Sequence, residues 1–252
     1  MTLSLFCVAH KAPEVLLPEG IVTLGVNQFR ESDYFTGVGQ HINERNPRYS
    51  EVSAIYWLLN NPCPHFEEAD FVGLCHYRRF FVVNNIQAAS LPGSMSASPQ
   101  EFKALRGACG VEAIEKLLLP GTCIAPQPVD FRRPLLQFYR EKHLDAGQDL
   151  TLAYALATDQ GLWTPEFADE QLNRETRLRP YCMSVMPRPE FLRIWGAITE
   201  VLLSIEGRVN HPDDPYQRRN LGFIAERMHS STLAWLESQG RRVLNMPVVQ
   251  VG

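Results

Sequence analysis

The chain has 252 residues, of which 45% are hydrophobic. This is enough apolar material for one large α/β domain, so a single domain over 1–252 is predicted. The 24 Lys and Arg residues against 28 Asp and Glu residues give a formal net charge of −4, which argues against a nucleic-acid binder that works through a broad basic surface.

The six cysteines form no Cys-x-x-Cys pair and no zinc-like cluster with histidine. Because several lie in apolar runs, we expect them to be reduced and buried. No apolar run is long enough to cross a bilayer, and the first residues lack the pattern of a signal peptide. A cytoplasmic location is therefore predicted.

Apolar strand-like runs alternate with helical patterns along the chain. Strands are predicted at 3–10, 21–26, 71–81, 123–129, 181–186 and 243–249. Helices are predicted to begin at Asn46-Pro47, Ser98-Pro99, Thr164-Pro165, Pro189 and Arg219, the second running through 119 and the last to about 237. This alternation predicts an α/β sheet covered on both faces, with ligands bound beyond the carboxyl ends of its strands.

The segment 84–98 is rich in Ser, Ala, Asn, Gly and Pro. Such a composition is typical of a loop, and this loop follows the predicted strand 71–81 directly. The two alternatives are a lid over a site and a plain surface excursion.

The end of the predicted strand 71–81 carries His76, Tyr77, Arg78 and Arg79. If the strand is extended throughout, His76 and Arg78 share one face while Tyr77 and Arg79 share the other. One interpretation is a strand tip solvated by its polar residues. The other is an anion site, because guanidinium groups suit diphosphate oxygens.

Two further segments contain candidates for chemistry. Glu51 is predicted about one turn into a buried helix, where a carboxylate needs a cation or a hydrogen-bond donor. One alternative is a structural salt bridge from Glu51 to Arg78 or Arg79. The other is a catalytic or ligand-binding role for Glu51. Gly222 weakens the last helix, so it indicates a close approach of backbone or ligand, and Glu226 lies on the same helix face.

The remaining acidic residues give a weak signal. Asp149, Asp213 and Asp214 fall in predicted loops, and the pair between prolines is more typical of a turn than of a metal site. No Asp-x-Asp follows a predicted strand. Gly-x-Gly-x-x-Gly, the P-loop and Gly-x-Ser-x-Gly are also absent.

Four segments, in order along nearly the whole chain, form a recognisable pattern. They are Val8-Ala9-His10-Lys11, then Asn46-x-x-Tyr49-Ser50-Glu51 with Tyr56-Trp57, then Val72-Gly73-Leu74-x-His76-Tyr77-Arg78-Arg79-Phe80-Phe81, and finally Arg219-x-x-Gly222-Phe223-x-x-Glu226-Arg227. This pattern resembles the bacterial DUF4422 family. That family is grouped with GT-A-type glycosyltransferases and is found in capsule and O-antigen loci.

The resemblance implies a GT-A-like, Rossmann-like fold with a mixed, mostly parallel central sheet flanked by helices. It implies a hexosyltransferase-like enzyme that moves a sugar from a nucleotide-sugar donor to a growing cell-surface glycan. The expected donor is UDP-linked, and some relatives are associated with galactofuranose. A lipid-linked oligosaccharide acceptor would bring the protein to the inner face of the plasma membrane.

The resemblance also suggests roles for residues. Those expected to bind the donor diphosphate are His10, Lys11, His76, Tyr77, Arg78, Arg79 and Arg219. Those expected to line the substrate pocket are Asn46, Tyr49, Gly222, Phe223 and Met183. Glu226 is the first candidate for the catalytic base, with Asp149 and Glu51 as reserves. Because GT-A folds usually hold a metal through Asp-x-Asp, we expect arginines to replace the metal here, with no metal site.

Two segments depart from the family pattern. They are Gln40-His41-Ile42-Asn43, which lacks the usual acidic residue, and Cys182-Met183-Ser184-Val185-Met186. The alternatives to a transferase are therefore a non-catalytic nucleotide-sugar or glycan-binding module on the same fold, and a sugar-phosphate-processing enzyme that uses the same arginines.

Overall fold

The computed structural model describes residues 1–83, 94–143, 147–210 and 212–252. The strands are β1 Leu3–Ala9, β2 Ile21–Gly25, β3 Tyr34–Phe35, β4 Phe71–His76, β5 Arg79–Phe81, β6 Ser94–Ala97, β7 Cys123–Pro126, β8 Val129–Asp130, β9 Arg177–Leu178, β10 Ser184–Pro187, β11 Val243–Met246 and β12 Val248–Val251. The α-helices are α1 Asn46–Tyr49, α2 Val52–Asn60, α3 Pro64–Glu67, α4 Pro99–Leu105, α5 Val111–Glu115, α6 Leu135–Lys142, α7 Gln148–Asp159, α8 Pro165–Asn173, α9 Arg188–Ile205 and α10 Asn220–Ser238.

Within the described residues, ten strands form one mixed sheet. Its main path is β11-β7-β10-β4-β1-β2-β3, and β5, β6 and β12 extend it from β4. Strand β1 pairs in parallel with both β2 and β4, whereas β10 runs antiparallel to β4 and β7. The predicted fold class, an α/β fold with a mixed, mostly parallel sheet flanked by helices, is confirmed.

Two apolar clusters cover the two faces of this sheet. Because side chains alternate along a strand, Val72 and Leu74 of β4 enter one cluster while Phe71 and Cys75 enter the other. The larger cluster contains buried residues of α2, α7, α9 and α10, and the smaller one contains residues of α4, α5 and β12. The predicted alternation is thus confirmed as far as His76.

The predicted strand 71–81 is wrong beyond that point. Strand β4 ends at His76, Tyr77 and Arg78 form a tight turn, and His76 pairs antiparallel with Arg79. The chain turns because β5 pairs with β12, a strand from the far end of the sequence. Arg78 therefore lies at the tip of a turn, and the predicted division of residues 77 to 79 between two faces does not hold.

The predicted helix from Asn46 is broken in the middle. Helix α1 ends at Tyr49, Ser50 takes φ 51° and ψ −135°, and α2 begins at Val52. Glu51 is therefore the N-cap of α2 rather than a residue one turn into a helix. The left-handed φ of Ser50, which a side chain disfavours, is held by tertiary packing described below.

Three other predicted elements end earlier than expected or are divided. The helix predicted through 119 ends at Leu105, is followed by a 3-10 turn at Arg106–Cys109, and resumes only as α5. The strand predicted at 123–129 ends at Pro126, and that predicted at 243–249 divides into β11 and β12 around Pro247. Residues 84–93, which are most of the predicted loop 84–98, lie outside the described residues. No helix in the described part of the chain is long and apolar enough to cross a membrane.

His229 of α10 is a buried histidine in the interface between α10 and α9. Its ring stacks on Trp195 of α9 with the centroids 4.8 Å apart, and its Nε2 lies 3.0 Å from the Ser184 hydroxyl of β10. Burial, assisted by the charge of Arg179, lowers the pKa of His229 from 6.5 to about 3. The folded protein therefore keeps this ring neutral.

This burial predicts a specific loss of stability in acid. Between about pH 6.5 and 3 the unfolded chain binds a proton at His229 that the folded chain excludes, so stability falls as pH falls, by up to about 1.4 kcal/mol per pH unit. His229→Gln should flatten the plot of unfolding free energy against pH by that amount, as measured by urea denaturation. Parallel plots for the two proteins would contradict the prediction.

Candidate functional site

The site lies beyond the carboxyl ends of the neighbouring parallel strands β1 and β4. His10 follows β1, and His76 and the turn Tyr77–Arg78 end β4. The rings of His10 and Tyr77 meet edge to face with their centroids 4.9 Å apart. Adjacent parallel strands therefore bring together the two segments that the sequence placed at the donor site.

Three guanidinium groups surround this edge. The Arg78 guanidinium lies 5.6 Å from the Tyr77 ring centroid, and that of Arg79 lies 4.4 Å from the Tyr181 ring centroid. Arg219, just before α10, donates from Nε to the Ser50 hydroxyl at 3.1 Å. Within the described residues, none of the three arginines has a carboxylate within 4 Å.

Burial and the neighbouring positive charges lower the pKa of both histidines of the site. The pKa of His76 falls to about 3, because of burial first and then the charges of Arg79, Arg219 and Arg78. Burial, Lys11, Arg78 and Arg219 lower the pKa of His10. Both rings are neutral at pH 7, so they can donate or accept a hydrogen bond without adding charge. The Nε2 of His76 is buried without a hydrogen-bond partner in the described structure.

A pair of carboxylates, Glu51 and Glu226, faces these cations. Glu226 is held at both oxygens: Oε1 accepts the Tyr181 amide at 2.7 Å, and Oε2 accepts Arg227 Nη1 at 3.2 Å. Glu51 is partly buried. Burial and the nearby charge of Glu226 raise its pKa, while hydrogen bonds from its own backbone amide and from the Cys182 thiol, together with the charge of Arg219, oppose the rise. Burial is thus the largest influence on the Glu51 carboxylate, whereas Glu226 has a donor at each oxygen.

Backbone strain accompanies the pair. Ser50, Tyr181 and Cys182 all have left-handed φ values, of 51°, 78° and 51°. Such a conformation costs a non-glycine residue of the order of 1 kcal/mol or more, and it persists where surrounding contacts hold it. Here Glu226 binds the Tyr181 amide, and the first turn of α10 packs on Ser50.

That packing depends on Gly222 of α10. A Cβ added at Gly222 would lie 2.6 Å from the Ser50 hydroxyl oxygen and 2.9 Å from the Ser50 Cβ. The close approach predicted from the glycine is therefore an approach to the corner at Ser50. Asn46 holds the same corner from the other side, donating to the Ser50 carbonyl at 2.7 Å and the Ser53 hydroxyl at 2.8 Å.

A second contact fixes helix α1. Glu206, at the end of α9, accepts from Arg45 at 2.7 Å and from Arg48 at 2.9 Å. Tyr49 is fully buried beside this carboxylate, and burial followed by the Glu206 charge raises the pKa of its hydroxyl. Tyr49 therefore supports the corner from within and does not offer a surface to a substrate.

The remaining predicted residues, Asp149, Met183 and Phe223, are largely buried. Asp149 is in the first turn of α7, not in a loop, and is 7% exposed. Met183 is fully buried in the apolar cluster on the sheet face of α4 and α5. Phe223 is 9% exposed and lies beneath Arg219, whose guanidinium is 5.5 Å from its ring centroid.

A divalent metal does not fit the residues of this edge. No group of three or more His, Cys, Asp or Glu side chains suited to a metal ion occurs in the described ranges. Three guanidiniums and two neutral histidines lie around the strand ends, opposite the carboxylates Glu51 and Glu226, and positive charge of this kind repels a cation. The charge at the end of β4 therefore favours an anion over a metal ion.

Comparison with models of protein families matches residues 4–239 to the family described as "Domain of unknown function (DUF4422)". The chain belongs to the DUF4422 family. Comparison with curated proteins gives no match. Among solved structures, this DUF4422 chain superposes on the apo structure of the bifunctional glycosyltransferase WbbM with a TM-score of 0.84 and 22% sequence identity. The match covers 100% of the DUF4422 chain and 46% of the WbbM chain, so the chain spans about half the length of WbbM.

Sequence reasoning missed the turn at Tyr181 and Cys182 as part of the DUF4422 site. The segment was predicted as a strand from 181, whereas β10 begins at Ser184. Nothing in the local sequence marks the turn, because its left-handed residues are neither glycine nor asparagine. The carboxylate that binds its amide, Glu226, is 45 residues away.

Gly222→Ala should destabilise this DUF4422 chain. Alanine in a helix interior normally gains about 0.5–1 kcal/mol over glycine, but here the new methyl group must displace Ser50 at a cost of roughly 1–3 kcal/mol. Gly196→Ala in α9 is the matched control, because a Cβ at Gly196 meets nothing within 4 Å. Thermal unfolding should give a lower Tm for G222A and an unchanged or higher Tm for G196A. Equal shifts in the two variants would contradict the close approach.

Proposed function

We propose that this chain is a glycosyltransferase that uses a nucleotide-sugar donor and binds the donor diphosphate without a metal. The observation that supports this most directly is a group of three arginines at the ends of β1 and β4, which face a carboxylate pair and have no ion-pair partner among the described residues. The fold similarity to the glycosyltransferase WbbM supports the same reaction class.

The arginines supply fixed positive charge for the diphosphate. Uncompensated guanidiniums held close together repel one another, and a diphosphate relieves that repulsion with charge-assisted hydrogen bonds. Burial lowers the pKa of Arg79, and Arg78 adds to this, whereas Glu51 and Glu226 oppose it. Preorganised charge of this kind stabilises the negative charge that develops on the leaving nucleoside diphosphate.

Glu51 is the better candidate for the general base. Both oxygens of Glu226 already accept donors, which favours a role in holding the Tyr181 turn. Glu51 is desolvated, and a raised pKa brings a carboxylate closer to the operating pH, where a general base is most efficient. Glu226, the first candidate from the sequence, then raises the basicity of Glu51 through its charge.

The transfer step follows from these roles. The acceptor hydroxyl oxygen forms the new bond to the anomeric carbon as the bond from that carbon to the diphosphate oxygen breaks. The hydroxyl proton moves to the Glu51 carboxylate. The bonding electrons leave with the nucleoside diphosphate, which the arginines hold.

The finer proposal is a hexosyltransferase with a UDP-linked donor, galactofuranose being one candidate sugar, and a cell-surface glycan as acceptor. The direct test incubates the protein with a panel of nucleotide sugars, with and without methyl glycosides as acceptors, in EDTA and in Mn²⁺. Nucleotide release and product mass are followed. Acceptor-dependent release in EDTA is the expected result. Donor binding without release would indicate a binding module, and turnover restored only by Mn²⁺ would overturn the metal-independent proposal.

Arg78→Ala should reduce kcat/KM in this assay by about 10²-fold, because one preorganised donor to the leaving group is lost. The Arg78 side chain is exposed, so the fold should persist. Arg242→Ala is the matched control: Arg242 is also exposed, and it precedes β11, whose start lies at the opposite edge of the sheet. An activity of R78A equal to that of R242A would contradict the diphosphate role.

The two carboxylates can be distinguished by their pH profiles. Glu51→Gln should lower kcat by about 10²–10⁴-fold, the usual contribution of a positioned general base. In the wild type, activity should fall as pH drops through the raised pKa of Glu51. Glu226→Gln keeps an oxygen for the Tyr181 amide but removes the negative charge, so it should retain turnover and shift this acid limb to lower pH.

The opposite pattern would reassign the base. Glu226→Gln inactive, with Glu51→Gln within about threefold of wild type, would make Glu226 the proton acceptor. Circular dichroism of both variants serves as the check that neither change unfolds the corner at Ser50.

A further inference from the structure

Tyr216 is an exposed aromatic residue beside the site that has no part in the proposed transfer step. Its side chain is 55% exposed. The turn that presents it is well defined, because the Asp214 carboxylate accepts the Tyr216 amide at 3.0 Å and the Gln217 amide at 2.8 Å. The ring is therefore held in place by its backbone.

Three rings, Tyr216, Phe223 and His143, form what we call the aromatic platform. The Tyr216 and Phe223 centroids are 5.0 Å apart, and those of Phe223 and His143 are 4.3 Å apart and nearly parallel. Phe223 and His143 are 9% and 8% exposed. Tyr216 is therefore the member that offers its ring to solvent, with the other two supporting it.

The aromatic platform is separated from the proposed base by one side chain. The Arg219 guanidinium lies 5.5 Å from the Phe223 centroid, and its Nε donates to the hydroxyl of Ser50, the residue before Glu51. Arg219 also acts on the pKa of Glu51. Arg219 therefore links the aromatic platform to the segment that carries Glu51.

We infer that Tyr216 is the stacking surface for a sugar ring of the acceptor glycan. The inference rests on the proposed function, because the acceptor is the substrate whose hydroxyl must reach Glu51. One face of a pyranose ring presents C–H groups, and such a face packs on an aromatic ring as other apolar surfaces do. Tyrosine supplies this area with little conformational freedom to lose.

The charges around Tyr77 and Tyr216 favour the donor at Tyr77 and the acceptor at Tyr216. Tyr77 is accompanied by Lys11 and Arg78, at 5.8 and 5.6 Å from its ring centroid, and Lys11 pairs with Glu14 at 2.7 Å. Tyr216 follows the exposed carboxylates Asp213 and Asp214. These carboxylates repel a nucleoside diphosphate but leave a neutral glycan unaffected.

Arg218, two residues after Tyr216, does not alter this assignment. Arg218 donates to the backbone carbonyls of Pro212 and Asp213, at 3.4 and 2.9 Å. Its guanidinium is therefore engaged in holding the turn.

Kinetics of Tyr216 variants provide the first test. Tyr216→Ala should raise KM for the acceptor about tenfold, the expected loss for a stacked aromatic ring, and leave both donor KM and acceptor-independent donor hydrolysis unchanged. Tyr216→Phe keeps the ring and should behave as wild type. Leu192→Ala, which removes another exposed apolar side chain at the start of α9, is the control.

A binding experiment makes the result independent of turnover. Saturation-transfer NMR in the presence of UDP would be recorded with the methyl glycosides of galactose, glucose, mannose and N-acetylglucosamine. Transfer to at least one glycoside is expected for the wild type and Y216F, and its loss for Y216A. The inference would be overturned by the absence of transfer to any glycoside, by the same transfer in Y216A as in the wild type, or by a change in donor KM in Y216A. Absence of acceptor-dependent nucleotide release in the wild type would instead count against the proposed function alone.

Discussion

The approach of helix α10 to the corner at Ser50 is the contact on which the site depends. Because Gly222 has no side chain, α10 can lie against Ser50 closely enough that any Cβ at this position would overlap it. Glu206 holds α1 through Arg45 and Arg48, so the corner is supported from both sides. The corner ends α1, starts α2 at Val52, and directs Glu51 toward Glu226 and Arg219.

The approach of α10 to Ser50 also brings opposite charges close together at the site. Two carboxylates and three guanidiniums meet at the strand ends, yet the arginines make no ion pair with either carboxylate within the described residues. Such charges are costly to bring together unless a ligand or a hydrogen bond compensates them. Glu226 is compensated by the Tyr181 amide and Arg227, whereas the three arginines have no carboxylate partner among the described residues and can respond to an anionic substrate. Burial, which disfavours the charged form of either group, is the main reason that the pKa of Glu51 is raised and that of His76 is lowered, and the charges of Glu226 and Arg79 add to the two shifts.

The site also has two chemically different ends. Around Tyr77 the neighbouring charges are mostly positive, as an anionic donor requires. Around Tyr216 the ring is supported by apolar and aromatic groups and preceded by carboxylates. Arg219 lies between the ends and contacts both the aromatic platform and the Ser50 corner. One helix start thus links the proposed donor, base and acceptor positions.

Features that depend on a local pattern can be predicted from the amino-acid sequence alone. The alternation in β4, the capping box at Ser98, the helix starts at Thr164 and Pro189, and the grouping of His76 with the arginines at a strand end are all readable from nearby residues. The break at Ser50, the turn at Tyr77 and the left-handed turn at Tyr181 instead follow from tertiary contacts. Each of these depends on a partner far along the chain, namely Gly222, β12 and Glu226. A backbone conformation that is locally unfavourable cannot be read from local propensity, because distant packing and hydrogen bonds provide the free energy that maintains it.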